Sequence, residues 1–516
     1  MVNTFLDRFP APSNRTDHQL STTTLATIHS LPDEILVYIF FSTSRCKPFA
    51  TSQGTLLSIS HVCARWRHLA LTSGELWCFI NITFPVNAQE LDRAKEWVRR
   101  SNPYPLYVVI DVRDPDWDFN EESHSVRWLE MQAVMGIILP AADRWRDLRV
   151  AADNWEPLHA FLYYTQKISI PLLRRLHLNR CNPYFAAPDQ VFVPSNARVF
   201  LSLFGGVEWT GLTSVELEGV HVDWARSPAL RGLTRLSLGY HSRDVAPTPS
   251  QFRDLMISCP ELQSFSLNGW GPILSGGNFP QQELPQFRAS IKLPLLRNLE
   301  LGIMVPSYIV DVLSLFVIPS LESLVIDDIT RYNPNALTRQ DVGPVFGFLS
   351  GQASSFHSSS ISIKSLSSIA IMNLDPGETA FHHFLQVVHS LRVLQIRNCA
   401  ATALNALAPN NLGVPSKDLI RLSIEACDFD ILVDTISSRR AQGTREITDA
   451  IFSEIHNSTA LSTAEMEDRL AQLNIRVSHP PPINHRHSQN FEADDSEDLV
   501  AAILEERWDV AGAVMQ

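Results

Sequence analysis

Apolar and polar positions follow two different periods along this chain, and the change of period divides it. From Ile28 to Ile80 the apolar residues recur at helical spacing. Ile35, Leu36, Ile39 and Phe40 fall at i, i+1, i+4 and i+5, one stripe on a short helix. Pro32 suits the opening turn, where its missing N–H costs nothing, and Asp33 and Glu34 lie where the helix dipole favours negative charge. Ile59, Val62, Cys63, Trp66, Leu69 and Ala70 repeat with the same period and predict a second helix, with Arg65, Arg67 and His68 on its other side. The stretch Ser42 to Thr55 reads as the link between them, and Trp77 closes the unit. Two or three short helices cannot bury so much apolar surface among themselves. Either the rest of the chain covers the stripe or another protein does.

Further along the period drops to two. A nine-residue phrase reads LRRLHLNRC at Leu173–Cys181, LTSVELEGV at Leu212–Val220, LTRLSLGYH at Leu233–His241, LQSFSLNGW at Leu262–Trp270 and LRNLELGIM at Leu296–Met304. It returns as LESLVIDDI at Leu321–Ile329, LSSIAIMNL at Leu366–Leu374, LRVLQIRNC at Leu391–Cys399 and LIRLSIEAC at Leu419–Cys427. RDLRVAAD, at Arg146–Asp153, is a weaker copy. The fourth residues are spaced by 39, 21, 29, 34, 25, 45, 25 and 28 positions, an irregular leucine-rich repeat. In each phrase the fourth and sixth side chains point into the core and those between them point out, by strand alternation. Pro260, Pro294 and Pro319 stop the segment ahead of a phrase. The ninth position is apolar or a thiol in most copies, so Cys181, Cys399 and Cys427 read as small buried hydrophobes.

Between the two patterns lie a helix over Ala88–Arg100, a strand over Leu106–Val112, a loop over Arg113–Ser125, a helix over Val126–Leu139 and a strand over Asp147–Ala151. The fold class is therefore α/β: N-terminal helices, then an irregular leucine-rich-repeat solenoid with a parallel sheet on its concave face. The expected domains are a disordered N-terminus at 1–26, the helical module at 27–80, the solenoid at 81–435 and a partly disordered acidic tail at 436–516. Within the solenoid, 350–368 is a Ser-rich insertion thrown out as a loop. Past Ser437 the repeat fades; Glu465–Leu473 reads as a short helix and His479–Ser488 as a Pro/His linker. Phe491–Asp509 carries eight acidic residues and one Arg, with Leu499, Val500, Ile503 and Leu504 as an apolar stripe.

Composition narrows the function. Forty-two basic against 55 acidic residues leave a net charge of −13 in 516 residues, which argues against a phosphate-backbone binder and so against nucleic acid as partner. Seven cysteines make no disulfide framework, and the N-terminus lacks a signal-peptide layout. No apolar run reaches membrane-spanning length, so no membrane partner is expected and the location is cytoplasmic, nuclear or both. Phosphate-loop, H-E-x-x-H and G-x-S-x-G motifs are missing, and no cysteine pair has zinc spacing. The chain reads as no enzyme, with no cofactor, no metal and no catalytic residue. His382 and His383, on a helix predicted over Thr379–Val388, have no ligand partner at useful spacing.

Leu31-Pro32-x-Glu34-Ile35-Leu36-x-x-Ile39-Phe40, then Val62-Cys63-x-x-Trp66-x-x-Leu69-Ala70, then Trp77, resemble the F-box, a three-helix module that docks on a Skp-type adaptor. The link between the helices is several residues longer than is usual there. With the repeats behind it, the chain is similar to the receptor subunits of SCF-type ubiquitin ligases. Within these it looks most like the large F-box families of mushroom-forming fungi, through Glu96-Trp97-Val98-Arg99-Arg100-Ser101 before Pro105-Leu106 and through Arg144-Trp145-Arg146-Asp147-Leu148. The resemblance implies a Skp-type adaptor and, through it, a cullin as partners, with a protein substrate of unknown identity on the solenoid. It assigns adaptor binding to Leu31, Pro32, Ile35, Leu36, Ile39, Val62, Cys63, Trp66 and Leu69. Outward strand positions are the substrate candidates: Arg175, His177, Asn179, Glu216, Glu218, Arg235, Asn268, Glu300, Asp327, Gln395, Arg397, Arg421 and Glu425. Two other readings stand beside it. In one, the chain is a leucine-rich-repeat scaffold attached to no ligase, its F-box-like helices capping the solenoid. In the other it is a transcriptional or chromatin cofactor acting through the acidic tail.

Overall fold

The computed structural model describes residues 28–45, 49–118, 120, 123–181, 191–274, 284–332, 338–352, 359–410, 413–425, 428–443, 447, 449–453, 463–472 and 476–478. The linker histidines His479, His485 and His487, the acidic segment Phe491–Asp509, Cys427 and the N-terminus to Ala26 lie outside this set.

Three helices open the chain: α1 (Asp33–Arg45), α2 (Phe49–Val62) and α3 (Ala64–Thr72). The single helix expected over Ile59–Ala70 is two. Cys63 breaks it with an extended backbone, φ −157° and ψ 171°, and its Sγ accepts from the Trp66 N–H at 3.5 Å as the cap of α3. A residue in extended conformation with a side-chain acceptor three positions ahead of a free N–H is a helix start, and helical periodicity cannot see it. The expected link Ser42–Thr55 is also largely helical, being the end of α1 and the first half of α2.

A 3-10 turn at Gly74–Trp77 leads directly into a parallel sheet. Its strands are β1 (Phe79–Thr83), β2 (Leu106–Asp111), β3 (Trp145–Ala152), β4 (Arg175–Arg180), β5 (Ser214–Glu218), β6 (Arg235–Gly239) and β7 (Ser264–Asn268). It continues past a two-residue strand β8 (Ile291–Lys292) into β9 (Asn298–Ile303). Next come a second short strand β10 (Phe316–Val317), then β11 (Ser323–Asp328), β12 (Ser368–Met372), β13 (Val393–Arg397) and β14 (Arg421–Glu425). Strands β15 (Asp449–Ser453) and β16 (Arg476–Ser478) complete it. Fourteen strands pair in sequence order, with β8 and β10 forming a separate parallel pair. Each of the nine phrases supplies one strand, and the weak copy supplies β3. The sheet thus runs two strands beyond the point where the repeat fades, because main-chain pairing needs no leucines: β15 is in register with β14, Leu422 facing Ala450.

Registry makes the core. Val215, Leu236, Phe265, Leu299, Leu324, Ile369, Leu394 and Leu422 align in one buried row, and Leu217, Leu238, Leu267, Leu301, Ile326, Ile371, Ile396 and Ile424 in the next. The ninth phrase position is buried too, as at Val220, Trp270, Met304, Ile329, Leu374 and Cys399. The eighth turns the chain. Gly219, Tyr240, Gly269, Asn373 and Asn398 all have positive φ, between 46° and 87°, and each sends its N–H to the carbonyl at the end of the next strand. Gly and Asn tolerate this left-handed backbone, which explains their recurrence there.

Of the Ser-rich insertion, residues 353–358 lie outside the described set, and the C-terminal part is not a loop thrown out of the solenoid. Ile361, Ile363 and Leu366 are buried, and Ile361 bridges to Ile318, so its C-terminal part belongs to the core. At the other end α4 (Ala88–Arg100) closes the open edge of β1. Its Glu90 carboxylate accepts from the Thr83 N–H at 2.9 Å, and Arg93 donates to the Asn81 carbonyl at 2.6 Å. An edge strand left bare would offer these groups to another chain.

Candidate functional site

Neighbouring residues of the three-helix module face opposite ways. Leu36, Phe40 and Phe41 of α1 turn inward with Leu56, Ile59, Leu69 and Ala70. Trp66 is half-buried with its ring 4.8 Å from that of Phe40. Trp77 is fully buried; its indole N–H donates to the Ala70 carbonyl at 2.7 Å, its ring meets Trp97 of α4 edge-on at 5.2 Å, and the Arg100 guanidinium covers it at 4.6 Å. Arg144 then binds the end of α4, donating to the carbonyls of Val98 and Tyr104. The two short phrases around Trp97 and Arg144 therefore form the joint between module and sheet. Arg65 ties α3 to the start of α1 through Asp33 and the Leu31 carbonyl.

What remains outside is apolar. Ile35 is 46 % exposed, Tyr38 49 % and Ile39 37 %, and their i, i+3, i+4 spacing puts them on one face of α1. Val62, at the end of α2, is 59 % exposed, and Pro32 also faces solvent. Leu31 and Cys63 are half-buried. Of the nine residues assigned to the adaptor, Leu36 and Leu69 are therefore interior, at 0 % and 7 % exposed, and pack within the chain itself. Tyr38 was missed by the sequence reading, although it sits at the right spacing from Ile35.

On the sheet, the outward strand positions line the face opposite the two buried rows. Asn268 and Asp327 are buried there and are not plain surface. Asp327 accepts from the Asn373 side-chain amide at 2.8 Å, Asn373 accepts from Asn398 at 2.9 Å, and Asn398 from Arg339 at 2.9 Å, a polar ladder at the strand ends. Arg397 pairs with Glu425 at 3.0 Å, and Arg235 and Arg421 are exposed. Asn179, Glu300 and Gln395 are half-buried and far apart along the sheet. At one place the candidates converge. His177 of β4 lies between Glu216 and Glu218 of β5, Nδ1 3.5 Å from one carboxylate and Nε2 3.8 Å from the other. Burial lowers the affinity of the His177 ring for its proton, and the two carboxylates more than offset this, so its pKa moves up. Beside it Asp147 holds both Arg149 and Arg175.

Residues 28–83 match the family model described as F-box-like. A search among curated proteins finds no match. Among solved structures, similarity extends to one described as "Crystal structure of TLR13-ssRNA13 complex", at 12 % identity and a TM-score of 0.30, covering 69 % of this chain and 52 % of that one. Another is "Structure of the Toll - Spatzle complex, a molecular hub in Drosophila development and innate immunity", at 10 % identity and a TM-score of 0.20, covering 79 % and 62 %. The chain thus spans about half the length of the first. Overlaps this loose carry nothing about what this chain binds. The protein is one of mixed α/β fold, an F-box-like helical region followed by a long parallel sheet of repeats. F-box-like modules typically serve interaction and not catalysis, and among the described residues no helix is long and apolar enough to cross a membrane.

Proposed function

We propose that this chain is a substrate-receptor subunit of an SCF-type ubiquitin ligase, with α1–α3 docking on a Skp-type adaptor that carries a cullin and the sheet face holding a protein substrate. The observation that carries the reading is the apolar face of α1, Ile35, Tyr38 and Ile39, standing open within a segment that matches the F-box-like family. Such a face on a helix whose other side is already packed fits a partner's groove. Ubiquitin transfer needs no chemistry from this chain on this reading: holding a substrate near a charged enzyme raises its effective concentration. The working location is then cytoplasm or nucleus.

A pull-down with a purified Skp-type adaptor tests it. Wild-type chain should be retained, and Ile35→Asp combined with Val62→Asp should lose retention by tenfold or more while melting as the wild type does. Retention unchanged by these substitutions would refute the docking face. A second reading, a scaffold whose helices only cap the solenoid, is favoured by Trp77, which locks the module onto α4. It predicts no adaptor retention at all. The two roles use different sides of the same helices.

A further inference from the structure

The place where the outward residues converge has a chemistry of its own. Strand alternation puts Glu216 and Glu218 on one face of β5, roughly 7 Å apart along the strand. Registry sets His177 level with Glu216 across the β4–β5 pair, and its ring reaches towards Glu218. One nitrogen and two carboxylate oxygens come within 4.8 Å of one another, and among the described residues no other group of three metal-ligating side chains does so. The neighbouring strand carries small residues at this point. Ser237 pairs with Glu216 and Gly239 with Glu218, and a Cβ at Gly239 would stand 3.6 Å from the Glu218 Cγ.

We propose that His177, Glu216 and Glu218 form a binding site for a divalent transition-metal ion such as Zn2+ on the open face of the sheet. Ligand atoms at Zn–N and Zn–O distances of about 2.0–2.2 Å sit about 3–3.5 Å apart, so the carboxylates close by an ångström or so, within reach of glutamate rotamers. A neutral imidazole with two carboxylates suits a borderline ion, and the two negative charges match its double charge. The neighbouring Asp147, Arg149 and Arg175 sum to one positive charge, and both guanidinium groups bond to Asp147. Three protein ligands on one side leave the solvent side of the ion to water or to a group from a bound protein. The phrases hold part of this signal, since His177 and Glu216 are both the fifth residue of consecutive copies 39 positions apart; that these two copies pair as neighbouring strands is what the register adds.

The test is Zn2+ titration of the metal-stripped full-length chain against a competing chromogenic chelator. It uses a parent carrying His479→Ala, His485→Ala and His487→Ala, so that the His-containing linker contributes nothing. One equivalent of Zn2+ should bind this parent. His177→Ala should weaken binding by about tenfold or more, and so should Glu218→Gln, which keeps the side chain's shape and guards against a folding defect. Metal-free melting of the Glu218→Gln chain should match the parent. A parent that binds no Zn2+, or variants that bind it as the parent does, would overturn the site. The three ligands lie in β4 and β5, away from α1–α3, so metal binding and adaptor capture succeed or fail separately.

Discussion

Ile35 and Leu36 are adjacent in sequence, yet one is nearly half exposed and the other wholly enclosed. Their substitution should therefore do different things. Leu36→Ala leaves a cavity in the core of the helical module and should cost about 2–5 kcal/mol in urea denaturation. Ile35→Asp should leave the midpoint within about 0.5 kcal/mol of wild type, as surface substitutions do. His241 gives a residue-scale pH dependence. Burial in the core pulls its pKa down to about 4, and its ring Nε2 bonds to the Val220 carbonyl at 2.9 Å. Unfolded, the same ring titrates near 6.5. Between these two values the unfolded chain binds more protons, so stability is whole above about pH 6.5 and falls as pH drops towards 4. The loss from this group across that window should be on the order of 3 kcal/mol. His241→Phe should reduce the pH dependence in urea titrations run at several pH values, with buried His221, whose pKa burial pulls to about 3, keeping part of it. Gly219 has φ at 63°, and a Cβ there would crowd the Arg180 carbonyl and Cβ, each at 3.1 Å. Gly219→Ala should cost about 1–2 kcal/mol by the same measurement.

At the scale of elements, what could be read in advance depended on period. Helix α4 and the nine strands β4 to β7, β9 and β11 to β14 stand where the apolar spacing puts them, because a buried row needs a leucine-type residue at each repeat; the short pair β8 and β10 carries no phrase. The breaks were not legible. Cys63 belongs to the apolar series and still ends one helix and caps the next, since its thiol serves both as a hydrophobe and as an acceptor. The eighth phrase position held a signal, Gly or Asn in four of the five turns, that points to left-handed backbone. The edge of β1 held none: Glu90 and Arg93 look like an ordinary helical i, i+3 pair. Glu90→Ala combined with Arg93→Ala should uncover the Thr83 N–H and Asn81 carbonyl, and light scattering should show a greater tendency to self-associate than in wild type.

For the whole molecule, the joint between the helical module and the sheet decides how its two halves work. Trp77, Trp97, Arg100 and Arg144 join α3, α4 and β3 without a flexible linker, so a partner held by α1 would keep a fixed relation to the sheet face. The candidate sites were legible only in part. Helical spacing grouped Ile35 and Ile39 with Leu36 and Phe40 and passed over Tyr38, so which side of α1 stays open came only from packing; His177 meeting Glu216 and Glu218 depended on which phrases pair as neighbouring strands. The most direct measurement on the central claim is hydrogen exchange of the full-length chain with and without a purified Skp-type adaptor. Slower exchange across residues 33–45 and 57–72, with β9 to β14 unaltered, is the predicted result. Unchanged exchange in α1, or protection confined to the sheet, would contradict it.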